Sequence, residues 1–183
     1  MLQCEDRLKD KKVLITGGGG GLGFNMAKKL VQSGAKVAIC GRNEEKLKNA
    51  SSQLDNCPYF KFDVCSFTSY KEVLEKANLA LGGGLNCLIN NAGISLHEPS
   101  FEDVTLETFD QQFNTNLKAP YFLSQEFVKY VINQNIQNAN ILFVTSERGL
   151  YCDILPYGLT KAAISSLTAG LSRRYVTKGI RIN

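Results

Sequence analysis

Tyr157 and Lys161 are the residues whose types and spacing could most directly do chemistry. They stand four positions apart in the run YGLTK, so on a helix they would share one face. A free tyrosine has a pKa of about 10, and a nearby ammonium lowers that pKa by stabilising the phenolate. The pair could therefore exchange a proton with a carbonyl or alcohol oxygen. Most Tyr-x-x-x-Lys pairs are simply exposed neighbours on a helix. This pair follows a predicted fifth strand, and open parallel sheets bind ligands beyond the C-terminal ends of their strands. Its position therefore favours a catalytic role.

Two further groups of polar residues follow predicted strands. Thr145 and Ser146 end the fifth strand, where a hydroxyl can donate to a substrate oxygen and stabilise developing charge. A loop serine that caps a turn is the common alternative. Asn90–Gly93 (NNAG) ends the fourth strand. Its small residues would let a cofactor pass close to the backbone, although Asn and Gly are also ordinary turn residues.

Thr16–Gly23 reads TGGGGGLG and lies directly between a predicted buried strand and a predicted helix. Such a junction lets the backbone approach a phosphate, with helix N–H groups facing it. Two glycine patterns fit: G-x-G-x-x-G through Gly18 and Gly20, or G-x-x-x-G-x-G through Gly17 and Gly21. No Gly-Lys-Ser/Thr follows, which excludes a Walker A loop. The run therefore predicts a dinucleotide-binding turn.

Arg42 indicates which dinucleotide is bound. NAD-binding sheets usually carry an acid at the end of the second strand to hold the ribose 2′-hydroxyl. Here the strand ends Cys40-Gly41-Arg42, and no carboxylate occurs before Glu44. An arginine can instead pair with a 2′-phosphate, although a solvated arginine at the start of a charged helix is the plain alternative. The position favours NADP(H) over NAD(H).

Short apolar runs alternate with longer helical patterns along the chain, which is typical of an α/β fold with a doubly wound parallel sheet, Rossmann-like in topology. The predicted strands span residues 12–16, 36–40, 59–64, 86–90 and 140–145, and a sixth begins at 180–182. The predicted helices span residues 22–33, 43–54 with Asn43 as N-cap, 68–81, 106–133 with a bend near Pro120, and 156–177.

Composition excludes several classes of protein. A chain of 183 residues with 44% hydrophobic and 21% charged residues fits one globular domain. The net charge of +4 includes no basic run, which argues against nucleic acid. No apolar run is long enough for a membrane span, and the polar residues 1–12 show no signal peptide, so we expect a cytoplasmic protein. Six cysteines without a CxxC pair, and the single His97, predict free thiols and no metal site.

Taken together, these motifs resemble the classical short-chain dehydrogenase/reductases over essentially the whole chain. The glycine loop, the NNAG run, Asn116 within NTN, Ser146 and the Tyr157/Lys161 pair fall in family order at roughly family spacing. Each motif is weak alone, and the set is specific. The similarity is nearest to the 3-oxoacyl-carrier-protein reductases and related reductases of broad specificity.

The resemblance implies a role for each matching residue. Tyr157 would be the acid–base, Lys161 would bind the nicotinamide ribose and tune Tyr157, Ser146 would polarise the carbonyl, and Asn116 would hold a water that links Lys161 to solvent. Asp63 and Val64 would contact adenine, and Asn91 the adenosine side. The expected cofactor-binding residues are Gly17, Gly21, Leu22, Gly23, Arg42, Asp63, Val64, Asn91, Ala92, Gly93, Tyr157 and Lys161.

Two features depart from the family pattern. Ser146 precedes Tyr157 by eleven residues, fewer than is usual, so the intervening loop must be shorter and either Ser146 or Thr145 could meet the substrate. The sequence also stops at Asn183, within the predicted sixth strand, whereas family members continue into a substrate loop, a helix and a final strand. We expect residues 1–183 to form a single dinucleotide-binding and catalytic domain that lacks its C-terminal substrate-loop segment.

The expected function is an NADP(H)-dependent oxidoreductase that acts on a small-molecule carbonyl or secondary alcohol. The alternative is an NADP-binding sensor or assembly subunit without turnover, against which the intact catalytic set argues. A sugar-nucleotide epimerase would need a separate C-terminal substrate domain. The helices predicted at 106–133 and 156–177 carry more apolar surface than one sheet face needs, and related enzymes dimerise through them, so we expect a homodimer or homotetramer.

Overall fold

The computed structural model describes residues 7–151 and 153–183. Six parallel strands form one sheet in the order β3-β2-β1-β4-β5-β6. The order reverses between β1 and β4, which is the topology of a doubly wound sheet. The predicted fold class is therefore confirmed. The strands are β1 (Lys12–Thr16), β2 (Lys36–Gly41), β3 (Tyr59–Lys61), β4 (Cys87–Asn90), β5 (Ala139–Phe143) and β6 (Ile180–Ile182).

Helices cover both faces of the sheet because successive strand residues point to opposite sides. Val13 and Ile15 of β1 pack in a cluster with α1 and α2, whereas Leu14 packs in a cluster with α3, α5 and α6. Asn43 caps α2 as predicted, since its side chain accepts a hydrogen bond from Lys46 N at 2.9 Å. The helices are α1 (Gly21–Gln32), α2 (Glu44–Ser52), α3 (Tyr70–Ala80), α4 (Leu106–Phe113), α5 (Ala119–Asn133) and α6 (Pro156–Tyr175).

The predicted helix at residues 106–133 is divided by one turn of π-helix, Asn114–Lys118. Pro120 stands just after this turn, within the first residues of α5. Proline has no N–H to donate to the carbonyl four residues earlier, so the hydrogen-bond ladder changes its register there. Where the sequence predicted a bend near Pro120, the structure has a π-turn, a feature that often marks a functional site, and Asn116 lies inside it.

Several boundaries differ from the predicted ones. β3 ends at Lys61 rather than at residue 64, because Asp63 turns the chain: its Oδ1 accepts a hydrogen bond from Cys65 N at 2.9 Å. β5 spans Ala139–Phe143 rather than residues 140–145. α6 ends at Tyr175, and a short 3₁₀ turn leads to Gly179, whose φ of 71° reverses the chain into β6.

The cysteines that the structure describes are free thiols. Cys40 and Cys57 are buried, and Cys65 and Cys87 are partly exposed. Burial raises the pKa of Cys40 to about 12 and that of Cys87 to about 11, so these thiols are poor nucleophiles. Cys4 and Cys152 lie outside the described residues. Within those residues, none of the helices combines the length and the apolar character that crossing a bilayer requires.

Candidate active site

A cleft of about 340 Å³ opens beyond the C-terminal ends of β1 to β4. An open parallel sheet binds its ligand at this edge, beside the point where the strand order reverses. Seven of the twelve predicted cofactor-binding residues line the cleft: Gly17, Arg42, Asp63, Val64, Asn91, Ala92 and Gly93. Gly21, Leu22 and Gly23 stand at the start of α1, where Gly23 is buried and Leu22 is exposed. Tyr157 and Lys161 are brought to the neighbouring end of α6.

The glycine loop is shaped by positions where a side chain has no room. Gly17 has a φ of +68° and Gly21 a φ of +53°, a region that favours glycine. A Cβ on Gly23 would lie 2.3 Å from the carbonyl oxygen of Gly17. Gly20 is extended, and a Cβ there would meet nothing within 4 Å. The geometry therefore selects the pattern through Gly17, Gly21 and Gly23 over the one that needs Gly20.

Thr16 ties the glycine loop to the loop that follows β4. Its buried hydroxyl accepts hydrogen bonds from the backbone N–H groups of Asn91 and Ala92, both at 3.0 Å. The Asn91 side chain donates in return to the carbonyl oxygens of Thr16 and Gly17 at 2.9 and 3.2 Å. The Asn91 side chain therefore holds the glycine loop and the loop after β4 together at the cleft. Sequence reasoning included Thr16 in the loop without assigning it this role.

At the outer end of the cleft, Arg42 and Asp63 follow β2 and β3. Arg42 is exposed, and it forms no ion pair with any residue in the described ranges. Asp63 also lines the cleft, and one of its oxygens accepts a hydrogen bond from Cys65 N in its own turn. The Arg42 guanidinium at this end of the cleft is therefore suited to bind an anionic ligand.

Lys161 is buried, with 6% of its surface exposed. Its Nζ donates to the carbonyl oxygen of Val144 at 2.9 Å and lies 5.6 Å from the centre of the Tyr157 ring. A Cβ on Gly93 would stand 3.6 Å from the same Nζ, so the amine also borders the cleft. Burial lowers the pKa of Lys161. An anion beside the amine, such as a phenolate, would offset that cost.

Asn116 joins α6 to the loop after β4. Its Oδ1 accepts from Ile94 N, and its Nδ2 donates to Ile94 O, both at 2.8 Å. The Nδ2 also lies 3.3 Å from the hydroxyl of Thr160. The side chain is 2% exposed and is therefore occupied with holding the backbone beside Gly93. The water-holding role that the resemblance implies stays a prediction.

Ser146 begins a 3₁₀ turn, Glu147–Gly149, and its Oγ accepts from Arg148 N at 3.3 Å. This is the turn-capping arrangement that the sequence left open. The hydroxyl hydrogen remains available to donate, so capping does not exclude a role towards a substrate oxygen. Thr145 is exposed and Ser146 is partly buried; both follow β5, where they were predicted.

Comparison with known proteins decides the family. The family model described as short chain dehydrogenase matches residues 11–183. The chain belongs to the short-chain dehydrogenase family. Members of this family are oxidoreductases that act on alcohol or carbonyl groups with NAD(P)(H). The chain is therefore an enzyme by family, and the Rossmann-like sheet is the family's cofactor-binding frame.

Individual relatives agree with this assignment. An uncharacterized oxidoreductase of Staphylococcus aureus is 30% identical over 179 residues, which cover 96% of this chain and 76% of that protein. Glucose 1-dehydrogenase of Gluconobacter oxydans is 30% identical over 185 aligned positions, covering 98% of this chain and 69% of the relative.

Solved structures show the same fold. A short chain dehydrogenase from Bacillus anthracis superimposes with a TM-score of 0.89 at 27% identity, over 96% of this chain and 74% of that one. A 3-ketoacyl-(acyl-carrier-protein) reductase from Brucella melitensis, complexed with NADH, gives a TM-score of 0.85 at 27% identity, over 94% of this chain and 73% of that one.

Contacts that the sequence did not reveal hold the segment between β5 and α6 in place. Arg148 and Asp153 form an ion pair with an Nε–Oδ2 distance of 2.7 Å. Gly149 and Gly158 are packed so closely that a Cβ at either would collide with neighbouring atoms. These residues carry no periodic signal. In the sequence, only the Ser146–Tyr157 spacing drew attention to this segment.

Proposed function

We propose that the protein is an NADP(H)-dependent oxidoreductase that transfers a hydride between nicotinamide and a carbonyl or secondary alcohol carbon. The observation that carries the proposal is the Lys161 amine, which lies beside both the Tyr157 ring and the Gly93 end of the cleft. Family membership favours this enzyme over an NADP-binding sensor or assembly subunit without turnover.

The residues that line the cleft fit a dinucleotide. A phosphate needs close backbone approach, and Gly17, which lines the cleft, has no side chain to prevent it. Gly21, Leu22 and Gly23 present the N-terminus of α1 to the same place. Asp63, Val64 and Asn91 would bind the adenosine half, and Ala92 and Gly93 would carry the cofactor towards α6.

NADP(H) is proposed over NAD(H) because of Arg42. Its exposed guanidinium stands at the cleft rim, at the strand end where an NAD-binding protein places a carboxylate. A charge-assisted pair with a 2′-phosphate would form there.

When bound, the nicotinamide would donate or accept the hydride, and the protein's side chains would transfer the proton. Tyr157 donates its hydroxyl proton to the oxygen of a carbonyl as it is reduced, or accepts one from an alcohol as it is oxidised. Lys161 stabilises the phenolate form of Tyr157 and would hold the nicotinamide ribose. Ser146 donates a hydrogen bond to the substrate oxygen. Asn116 fixes the backbone of Ile94 opposite these groups.

Cofactor oxidation with a panel of carbonyl compounds tests the proposal. We would follow NADPH and NADH consumption with 3-oxoacyl thioesters, keto sugars and small ketones, and NADP⁺ reduction with glucose and secondary alcohols. Consumption of NADPH by at least one class, with deuterium passing from 4-deuterated NADPH to the product carbon, is the expected result. NADPH binding without turnover of any compound would support the sensor instead.

A homodimer or homotetramer is also proposed. The faces of α4 and α5 expose aromatic side chains, among them Phe109, Tyr121 and Phe122 at 36%, 43% and 41% exposure. Phe109 is stacked on Phe113 with ring centres 4.1 Å apart. Burial of such a surface is a strong driving force for association. Light scattering should give at least twice the protomer mass, and Phe122→Asp should lower it to one protomer.

A further inference from the structure

Arg148 and Asp153 form an ion pair across the β5–α6 loop, which the structure describes at residues 144–151 and 153–155. Arg148 Nε lies 2.7 Å from Asp153 Oδ2. The Asp153 side chain is only 10% exposed, against 44% for Arg148. Its other oxygen, Oδ1, accepts from Leu155 N at 3.0 Å, just before α6 begins. One carboxylate oxygen therefore binds Arg148 within the loop, and the other binds the residue that precedes α6.

Gly158 is what allows the carboxylate to lie against α6. A Cβ on Gly158 would stand 1.9 Å from Asp153 Oδ2, 2.3 Å from Cγ and 2.5 Å from Cβ. All three nearest atoms belong to one side chain, and Gly158 is the residue directly after Tyr157. Gly170, on the same helix, would place its Cβ in open space. Glycine is unfavourable within a helix. At Gly158 it is required, because any Cβ would collide with the Asp153 side chain.

Gly149 makes a second close contact with α6. A Cβ there would lie 2.7 Å from the carbonyl carbon of Lys161 and 2.9 Å from Ala162 N. The loop therefore touches the helix directly beside both members of the Tyr157/Lys161 pair, through Asp153 at Gly158 and through Gly149 at Lys161. Arg148, which precedes Gly149, also donates its backbone N–H to Ser146 Oγ.

We propose that Arg148 and Asp153 are positioning residues, whose ion pair fixes Ser146 relative to Tyr157 across the shortened loop. The inference rests on the proposed function, since it concerns the alignment of that function's acid–base and its hydroxyl donor. Arg148 holds Ser146 through its backbone and Asp153 through its side chain, and Asp153 abuts the residue next to Tyr157. A displacement of about 1 Å at reacting groups can lower a rate about a hundredfold.

The first test separates positioning from cofactor binding. Asp153→Asn and Arg148→Met should each lower kcat by about tenfold or more, with the NADPH Kd unchanged within about twofold. Arg148→Lys, which retains the charge, should recover most of the loss. A kcat that stays near wild type in Asp153→Asn, or a loss of kcat that parallels a loss of NADPH binding, would overturn the proposal.

The second test uses the contact between Asp153 and Gly158. Gly158→Ala should lower kcat by about tenfold or more in the wild-type protein, because its methyl displaces the carboxylate. Asp153→Gly removes all three colliding atoms, so adding Gly158→Ala to that variant should change kcat by less than about twofold. Gly170→Ala is the matched control and should leave kcat unchanged. Equal losses from Gly158→Ala in both backgrounds would contradict the contact's role.

A readout without substrate separates this proposal from the proposed function. Amide hydrogen exchange in the cofactor-free protein should quicken about tenfold across the β5–α6 loop in Asp153→Asn, and remain unchanged in the glycine loop. If wild-type protein turns over no compound, the proposed function fails, while the exchange result still decides whether the pair orders the loop. Unchanged exchange would show that it does not.

Discussion

The two halves of the site are built by different means. The cofactor half, around Gly17 and Asn91, consists of closely approaching backbone segments: the Thr16 hydroxyl and the Asn91 amide tie the two loops together through their backbone groups, and the glycines leave space where side chains would collide. The catalytic half, around Ser146 and Tyr157, is held by side chains, through the Lys161 amine on Val144 O and the Arg148–Asp153 pair.

This difference teaches where each half is vulnerable. A binding site formed by backbone contains few functional groups that a substitution could remove. It loses affinity when an added side chain blocks the close approach of the cofactor. A catalytic site formed by side chains loses activity when one functional group is removed. Changes in the cofactor half should therefore appear mainly in cofactor Kd, and changes in the catalytic half mainly in kcat.

The largest expected effect is in the catalytic half. Tyr157→Phe removes one hydroxyl and should lower kcat/KM about a thousandfold, within the range for loss of a general acid–base. Cofactor binding, measured by NADPH fluorescence, should stay within about twofold. Tyr175→Phe, at the other end of α6, is the control and should be silent. Equal loss of binding and turnover in Tyr157→Phe would mean that the residue acts structurally.

The second-largest effect is expected from a substitution in the cofactor half. Gly23→Ala would place a methyl 2.3 Å from the Gly17 carbonyl oxygen, so the loop must move away from its phosphate-binding shape. We expect the NADPH Kd, measured by titration calorimetry, to rise by about a hundredfold. The kcat at saturating cofactor should change far less. If kcat fell while Kd held, the division between the two halves would be wrong.

Arg42→Asp sharpens the comparison within the cofactor half. Reversing the charge at the cleft rim should shift the ratio of kcat/KM values for NADPH and NADH towards NADH by more than about tenfold. Lys46→Asp, an equal change of charge on the exposed side of α2, is the control. An unchanged ratio in Arg42→Asp would remove the argument for NADP(H).

The smallest effect is on stability. Burial opposes ionisation of Asp153, but the hydrogen bonds from Leu155 and Arg148 and the Arg148 charge outweigh it and lower its pKa. The anion therefore stabilises the fold above the unfolded-state pKa of about 4, and this gain is lost as pH falls through the lower folded-state value. Wild type should melt about 2 °C above Asp153→Asn at pH 7. The difference should vanish in strong acid; one that is constant with pH would contradict the assignment.

The two halves also differed in how well the sequence predicted them. Continuous apolar runs identify β1, β2 and β4, and the motifs at their ends place the cofactor half. Five successive glycines satisfy two patterns, and only the backbone angles at Gly17 and Gly21 separate them. Pro120 predicts a bend in the long helix, but not the π-turn at Asn114–Lys118 by which the helix is interrupted. The Arg148–Asp153 pair depends on a loop conformation that no periodicity encodes.

The most direct test of the account is an experimental structure of the NADP⁺ complex. We predict that the dinucleotide crosses the turn at Gly17, that its 2′-phosphate meets Arg42, and that Tyr157 Oη and Lys161 Nζ both lie within about 3 Å of the nicotinamide ribose hydroxyls. A Tyr157 hydroxyl directed away from the cleft, or a Lys161 amine that reaches neither the ribose nor Tyr157, would contradict the assignment of acid–base chemistry to this pair.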